Sequence, residues 1–444
     1  MNEPPTGNYR PGAERSSVAP EAPPTYRPRR RQSARAPYTR RQKLIIALAL
    51  AAALVAALPL GAYAALKLTQ QPLAQITVGI TPTPTATPTP SPAQREALFI
   101  DQKIAGMSLD EELGQMLVGA FLGTTLSPDL QTMIVKDHIG TVILYGGNML
   151  AASQLKKLDA AIQAHAQIPL FIATDQEGGT VNRLLYISGP RPSAEEIGDT
   201  NDPNKAKEQG LSDGKILKQL GINLNLAPDV DVQNVSDAVS ALPTRMWGTT
   251  ASKVTIFAGA YLAALQSQGV IGSIKHWPGL GDITVDPHAG LPILKRSKTA
   301  LNNIDFAPYR ALIAQGNVDM ILATYVTDTA YDPNLPGALS PIMINQVLRG
   351  DLGYQGVIIT DGLHMGAISN RWTAAQAAVL AVEAGNDLLL SFQAYEIPGV
   401  LKAIHAAINS GKITKARIDQ SVERILALKI KYGLITVPAN VAQG

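Results

Sequence analysis

The stretch GVIITDG, Gly356 to Gly362, is apolar on three successive residues before it reaches Thr360, Asp361 and a glycine. Successive apolar residues suit a strand buried on both faces, as in a parallel sheet covered by helices, and not the alternation of a half-exposed strand. The run closes on a carboxylate, and an aspartate just past such a strand is either a helix cap or a group with chemistry to do.

Working outward, seven more short apolar runs stand at helix-length intervals: Met116 to Leu122, Thr141 to Tyr145, Leu170 to Thr174, Asn223 to Ala227, Gly272 to Lys275, Asp319 to Thr324 and Asp387 to Leu390. The segments between them, such as Ser252 to Gln268 and Thr373 to Ala384, carry helical spacing. Ser108-Leu109-Asp110-Glu111 is a capping-box pattern, and the last helix is marked by Thr414 as N-cap, by Ile418, Val422, Ile425 and Leu426 on one face, and by Gly433 past its end. Eight strand and helix alternations predict an α/β fold, a (β/α)8 TIM-like barrel over residues 99–436 with a short tail, 437–444. A doubly wound open sheet is the competitor, although no G-x-G-x-x-G follows the first run as its dinucleotide-binding version requires.

Ahead of the barrel the composition changes. Residues 1–43 carry ten Arg or Lys against three acids, so the formal net charge of +3 for the 444-residue chain comes from this end. A charge that small and that localised gives no reason to expect nucleic acid as a partner. The segment is rich in Pro, Arg and Ser and is expected to be a disordered cytoplasmic tail. Leu44 to Leu66 then runs without a charge, close to the roughly 20 residues that span a bilayer, and the flanking arginines predict an N-terminus inside and a barrel outside. We expect an uncleaved signal anchor in the cell membrane; the A-x-A-like Ala62-Tyr63-Ala64 keeps a cleaved signal peptide as the alternative. Residues 67–98, with TPTPTATPTPSP at their heart, read as an extended linker. The chain has no cysteine, which excludes disulfides and thiolate chemistry.

In a barrel, the polar residues that follow the strands share one mouth, where barrel enzymes place their chemistry. Those residues are Asp175 with Gln176 and Glu177, Asp229 and Asp231, His276, Tyr325, and Asp361. Five consecutive strands thus deliver polar groups to the same end. The loop after the fifth run, KHWPGLGDITVDPHAGLP (Lys275 to Pro292), adds Asp286 and His288 around a proline. A carboxylate on one ring nitrogen fixes a histidine's tautomer and leaves the other nitrogen to exchange protons, whereas the bland reading of D-P-H is a solvated loop. His276, Asp282, Asp286, His288 and Asp361 are all of metal-ligating type. However, H-x-H is missing from the first strand and H-E-x-x-H from the whole chain, so no metal or other cofactor is expected. His364 is placed to line the pocket, while His138, His165 and His405 read as surface residues.

These motifs resemble one family, the family 3 glycoside hydrolases, and within it the single-barrel β-N-acetylglucosaminidases. The resemblance runs from about Met107 to Leu434. It is carried by IATDQEGGTVNRL (Ile172 to Leu184), GINLNLAPDVDV (Gly221 to Val232), PTRMWG (Pro243 to Gly248), KHWPGLGD with DPHAGLP, and GVIITDGLHMGAI (Gly356 to Ile368). It implies that Asp361 is the nucleophile and that His288, oriented by Asp286, is the acid and base. It also implies that Asp175, Arg183, Arg245, Lys275 and His276 bind the sugar, with Asp231 supporting the basic residues. The implied activity is exo-acting, retaining hydrolysis of terminal GlcNAc from cell-wall or chitin-type oligosaccharides; the alternatives are a β-glucosidase or β-xylosidase of the same family and a non-catalytic sugar-binding protein. The expected partners are a carbohydrate and, through the N-terminal segment, a membrane, with the chain acting as a monomer. Three positions depart from the family pattern: Thr180 where arginine is usual, Leu280 where a second histidine often follows P-G, and Tyr325 where a histidine usually ends the sixth strand.

Overall fold

Eight short strands close on themselves in a computed structural model whose described residues are 90–441. They are β1 (Leu117–Ala120), β2 (Thr141–Leu144), β3 (Phe171–Thr174), β4 (Leu224–Asn225), β5 (Ile271–Trp277), β6 (Met320–Ala323), β7 (Val357–Gly362) and β8 (Leu388–Phe392). All pairings are parallel and sequential, and β1 pairs with β2 on one side (Val118 opposite Thr141) and with β8 on the other (Leu117 opposite Leu389). That closure leaves no sheet edge, so the open-sheet alternative is excluded. Each predicted apolar run overlaps one barrel strand, with β5 and β8 extending past the ends of theirs.

The reason for the successive apolar residues is visible in the burial. Every residue of the eight strands is buried except Asp361, because side chains pointing inward meet the barrel core and those pointing outward meet helices. Trp277, fully buried at the end of β5, packs its ring 4.8 Å from Phe306 and 5.0 Å from Tyr309. The capping signals also hold. Ser108 and Glu111 form both halves of a capping box at the helix Leu109–Gln115, and Thr414 accepts from the backbone N–H of Arg417 at the start of Lys415–Lys431. Gly433 takes the left-handed φ of 71° that suits a residue just past a helix.

The expected tail 1–43, the apolar segment 44–66 and most of the linker lie outside the described residues. Among the described residues no helix is long and apolar enough to cross a membrane. Residues 92–98, assigned above to the linker, are already helical: Ser91 caps the helix Pro92–Ala105, with Pro92 at its first position and Gln94 completing a capping box. Proline-rich composition masked that start, since proline is as much at home at a helix N-terminus as in a spacer.

The last helix, Lys415–Lys431, seals the N-terminal end of the barrel. Asp387, just ahead of β8, is fully buried and accepts from Arg349 Nη2 (2.7 Å), Ser421 Oγ (2.7 Å) and the backbone N–H of Ile358 (2.9 Å), with Arg424 Nη1 at 3.2 Å. Asp319, just ahead of β6, is paired with Lys431 and with the hydroxyl of Tyr432. Lys429 is buried above the Phe171 ring, where its ammonium donates to Gln115 Oε1 at 2.8 Å and burial pushes its pKa down to about 7.

Candidate active site

At the opposite end the strands frame a cavity of about 180 Å³. Seven of the eight residues expected at the site line it: Asp175, Arg183, Arg245, Lys275, His276, His288 and Asp361. The eighth, Asp286, stands behind His288. Consecutive residues of a regular strand point to opposite faces, yet Lys275 and His276 both face the cavity. The pairing of β5 with β6 shifts register between Ile274 and Trp277, the kind of local irregularity that re-aims side chains beside active sites.

Asp361 is held at both carboxylate oxygens. Thr324 Oγ1 donates to Oδ2 at 2.7 Å and the backbone N–H of Gly362 donates to Oδ1 at 2.8 Å. Its backbone carbonyl accepts from the Tyr325 hydroxyl at 2.8 Å. A carboxylate fixed in this way presents a defined lone pair to the cavity with little rotamer freedom left to lose.

The polar wall is an ion network centred on Glu177. Arg245 grips it with Nε to Oε2 (2.8 Å) and Nη2 to Oε1 (2.9 Å), and Lys275 Nζ lies 2.6 Å from Oε1 and 2.8 Å from Asp175 Oδ1. Burial alone would push the Glu177 carboxyl up, but the Arg245 and Lys275 cations outweigh it and hold the group below the usual carboxylate range. Arg245 Nη2 also contacts His276 Nε2 at 3.0 Å. A guanidinium can only donate, so Nε2 is the acceptor and the ring hydrogen sits on Nδ1, which donates to Asp231 Oδ2 at 2.7 Å. Burial brings the His276 pKa down to about 4, in keeping with a neutral ring. Asp231 therefore supports His276, and through it Arg245, as expected. Arg183 differs from its neighbours in that its Nε is buried and makes no hydrogen bond within the protein.

Asp286 and His288 sit at the tip of the loop that follows β5. Asp286 Oδ1 accepts from the backbone N–H of His288 at 2.8 Å and lies 2.8 Å from ring Nδ1. Partial burial raises the Asp286 pKa, but the two hydrogen bonds and the charge of His288 outweigh it and leave it lowered. The i, i+2 contact forms because the backbone turns here: the N–H groups of Ala289 and Gly290 both bond to the Asp286 carbonyl. The dyad is open to solvent, with 73% of the His288 side chain and 54% of the Asp286 side chain exposed, whereas Asp361 is half-buried.

The loop's base and tip are both pinned. At the base, Gly281 lies so near β4's exit that a Cβ would come within 1.8 Å of the Val232 carbonyl oxygen, and Arg296 ties Asp282 (3.0 Å) to Asp305 (3.3 Å). At the tip, Gly366 and Ala367 donate backbone N–H groups to the carbonyls of His288 (3.1 Å) and Pro287 (2.9 Å). A Cβ on Gly366 would stand 2.6 Å from the His288 carbonyl oxygen. The loop carrying the dyad is thus docked on the loop that leaves the strand carrying Asp361.

The three departures from the family pattern leave the cavity wall intact. Thr180 is exposed at the turn between the short strands Gln176–Gly178 and Val181–Asn182. The Leu280 side chain is buried and its backbone N–H donates to Asp231 at 2.8 Å, while Tyr325 is buried behind Asp361. Sequence reasoning assigned no role to Glu177, the hub of the network, although its place after β3 was noted. It passed over Tyr145, which lines the cavity with its hydroxyl 3.2 Å from Ser391 Oγ; the only signal was a polar aromatic just past a strand. His364 lines the cavity as expected. Among the described residues the one cluster of metal-ligating type is Asp229, Asp231 and His276, all buried, with ligand atoms within 4.8 Å of one another. Both ring nitrogens of His276 are already engaged there, one of them by the Arg245 cation, which would repel a metal ion.

Comparison with known proteins supplies an independent line. Residues 108–428 match the family model described as "Glycosyl hydrolase family 3 N terminal domain". The chain is 31% identical to beta-hexosaminidase A of Pseudoalteromonas piscicida over 69% of its own length and 56% of the relative's, so it spans a little over half of that protein. It is 30% identical to beta-hexosaminidase LpqI of Mycobacterium tuberculosis, covering 73% of this chain and 83% of the relative. Among solved structures, the family 3 beta-N-acetylglucosaminidase of Paenibacillus sp. str. FPU-7 superposes with a TM-score of 0.71 at 37% identity, over 74% of this chain and 63% of that one.

Proposed function

The chain belongs to glycosyl hydrolase family 3, and from that membership and the donor set of its cavity we propose that it is an exo-acting, retaining β-N-acetylhexosaminidase that removes terminal GlcNAc from cell-wall or chitin-type oligosaccharides. The observation that carries this reading is that Asp361 of β7 and His288 of the loop after β5 line one cavity with an ion network around them. At about 180 Å³ the cavity falls below the roughly 300 to 1,000 Å³ of pockets that enclose a whole ligand, which suits one terminal ring with the rest of the chain outside.

In the first step an oxygen of Asp361 attacks the anomeric carbon as the bond to the leaving oxygen breaks. Imidazolium His288 gives its Nε2 proton to that oxygen, while the Asp286 carboxylate on Nδ1 holds the ring and stabilises its charge. The sugar is left as an ester of Asp361. In the second step His288, now neutral, takes a proton from a water that attacks the same carbon, and the ester bond breaks to restore Asp361. Two inversions give net retention, with a histidine in the place where most retaining enzymes use a second carboxylate. The chain's likeness to proteins named beta-hexosaminidase and to a beta-N-acetylglucosaminidase favours GlcNAc over glucose or xylose.

The test is turnover of p-nitrophenyl β-glycosides of GlcNAc, glucose and xylose by the full chain. The GlcNAc substrate is expected to lead; turnover of none would leave only a sugar-binding protein. His288→Ala is expected to slow substrates with poor leaving groups by about 100-fold or more and good ones far less. Equal losses would exclude the acid role.

For localisation, the charge-free segment Leu44 to Leu66 supports a membrane-anchored protein with the barrel outside the cell. Protease added to intact cells should cut the barrel away, and a protected barrel would reverse the orientation.

A further inference from the structure

The catalytic cavity has a larger neighbour on the same rim. Between the loops that leave β1 and β8 lies a cleft of about 470 Å³, lined by Phe121, Leu122 and Tyr395 together with Ser127, Asp129 and Gln393. Leu122 is 88% exposed and Tyr395 81%, the two most exposed of the large apolar side chains among the described residues. Leaving such groups in water costs free energy unless something covers them.

The cleft continues the active site along the chain. Leu390 of β8 lines the catalytic cavity, and Gln393 and Tyr395, a few residues further on, line the cleft. Its other edge is fastened to the wall of the cavity. Asn148 donates to the carbonyls of Phe121 (3.2 Å) and Gly123 (2.7 Å) and accepts from the backbone N–H of Tyr145 (2.9 Å), which lines the cavity.

We propose that this cleft is the site for the leaving-group sugar of the substrate, with Tyr395 as the platform beneath that ring. The inference rests on the glycosidase reading given above. A cavity sized for one terminal ring leaves the next ring outside, and this cleft is the built surface beside it. A pyranose has apolar C–H faces and hydroxyls around its equator. The lining offers an exposed tyrosine and leucine for those faces and a hydroxyl, a carboxylate and an amide for the hydroxyls.

The test compares two substrates that both release an alcohol: methyl β-N-acetylglucosaminide, whose leaving group is too small to reach the cleft, and the β-1,4-linked GlcNAc disaccharide. In the full chain, Tyr395→Ala is expected to lower kcat/KM for the disaccharide about tenfold, mainly through KM, and to leave the methyl glycoside within about twofold. An equal loss on both substrates, or no loss on the disaccharide, overturns the proposal. Should the wild type cleave neither substrate, the glycosidase reading fails separately, and calorimetric titration of the GlcNAc trisaccharide into Asp361→Ala tests the cleft by itself. About tenfold weaker binding on adding Tyr395→Ala would then support it; unchanged affinity, or no binding at all, would overturn it.

Discussion

The two ends of the barrel use the same residue types to opposite effect. At the N-terminal end, Asp319 and Asp387 precede their strands and are saturated by partners from the last helix and its neighbours. At the C-terminal end, Asp175, Glu177 and Asp361 follow or extend theirs and are held in a network with a cavity in its middle. The lesson is that a carboxylate's place relative to its strand, before or after, sorts stability from chemistry more reliably than its type or burial does.

That contrast can be broken by substitution at either end. The largest effect is expected for Asp361→Ala, with turnover falling at least about 10⁴-fold in a steady-state assay and thermal stability unchanged. Substantial remaining activity would remove Asp361 from the nucleophile's role. Asp387→Ala should do the reverse. It leaves Arg349 and Arg424 facing an emptied acceptor, with an expected loss of about 3 to 5 kcal/mol in denaturant unfolding and normal turnover by the molecules that remain folded.

Lys429 sharpens the comparison through pH. Its folded pKa of about 7 lies below its ordinary 10.5, so between those values the unfolded chain holds a proton that the folded chain lacks, and this group's contribution to stability rises with pH across that window. Lys429→Met should therefore be more stable than the wild type at pH 7, with the advantage shrinking by about 1 kcal/mol per pH unit toward pH 10. An advantage independent of pH would show that the lysine is charged in the fold. The smallest effect is expected for Tyr325→Phe, which removes the hydroxyl on the Asp361 carbonyl: kcat about three- to tenfold lower with KM little changed.

Much of this was legible in the chain. Runs such as VIIT lie where both faces of a strand are buried, and that local pattern marked all eight strands without reference to the rest of the molecule. The caps at Ser108 and Thr414 are equally local, because a side chain there bonds to a backbone only three residues away. Asp175, His276 and Asp361 share one cavity for the same reason, since the end of each strand is recorded in its own sequence, whereas Arg183, Arg245 and Lys275 were expected there from the family resemblance and His288 from the D-x-H loop. The helix start at Pro92 fell inside the expected linker because composition, not pattern, decides the reading there.

What the chain could not display were the long-range pairs. Glu177 meets Arg245 across 68 residues and Lys275 meets Asp175 across 100, contacts made by closure of the barrel and not by spacing in the chain. The tautomer of His276 follows from two partners that the loop after β4 brings to β5, and the cleft beside Tyr395 exists only because β1 and β8 are neighbours. The sequence by itself determined the strands, the mouth to which their polar ends belong, and the D-x-H turn, because hydrophobic burial and turn formation act over a few residues. The tertiary structure alone decided which charges neutralise one another and where a cleft opens beside the cavity, because those depend on distances that exist only once the first strand has met the last.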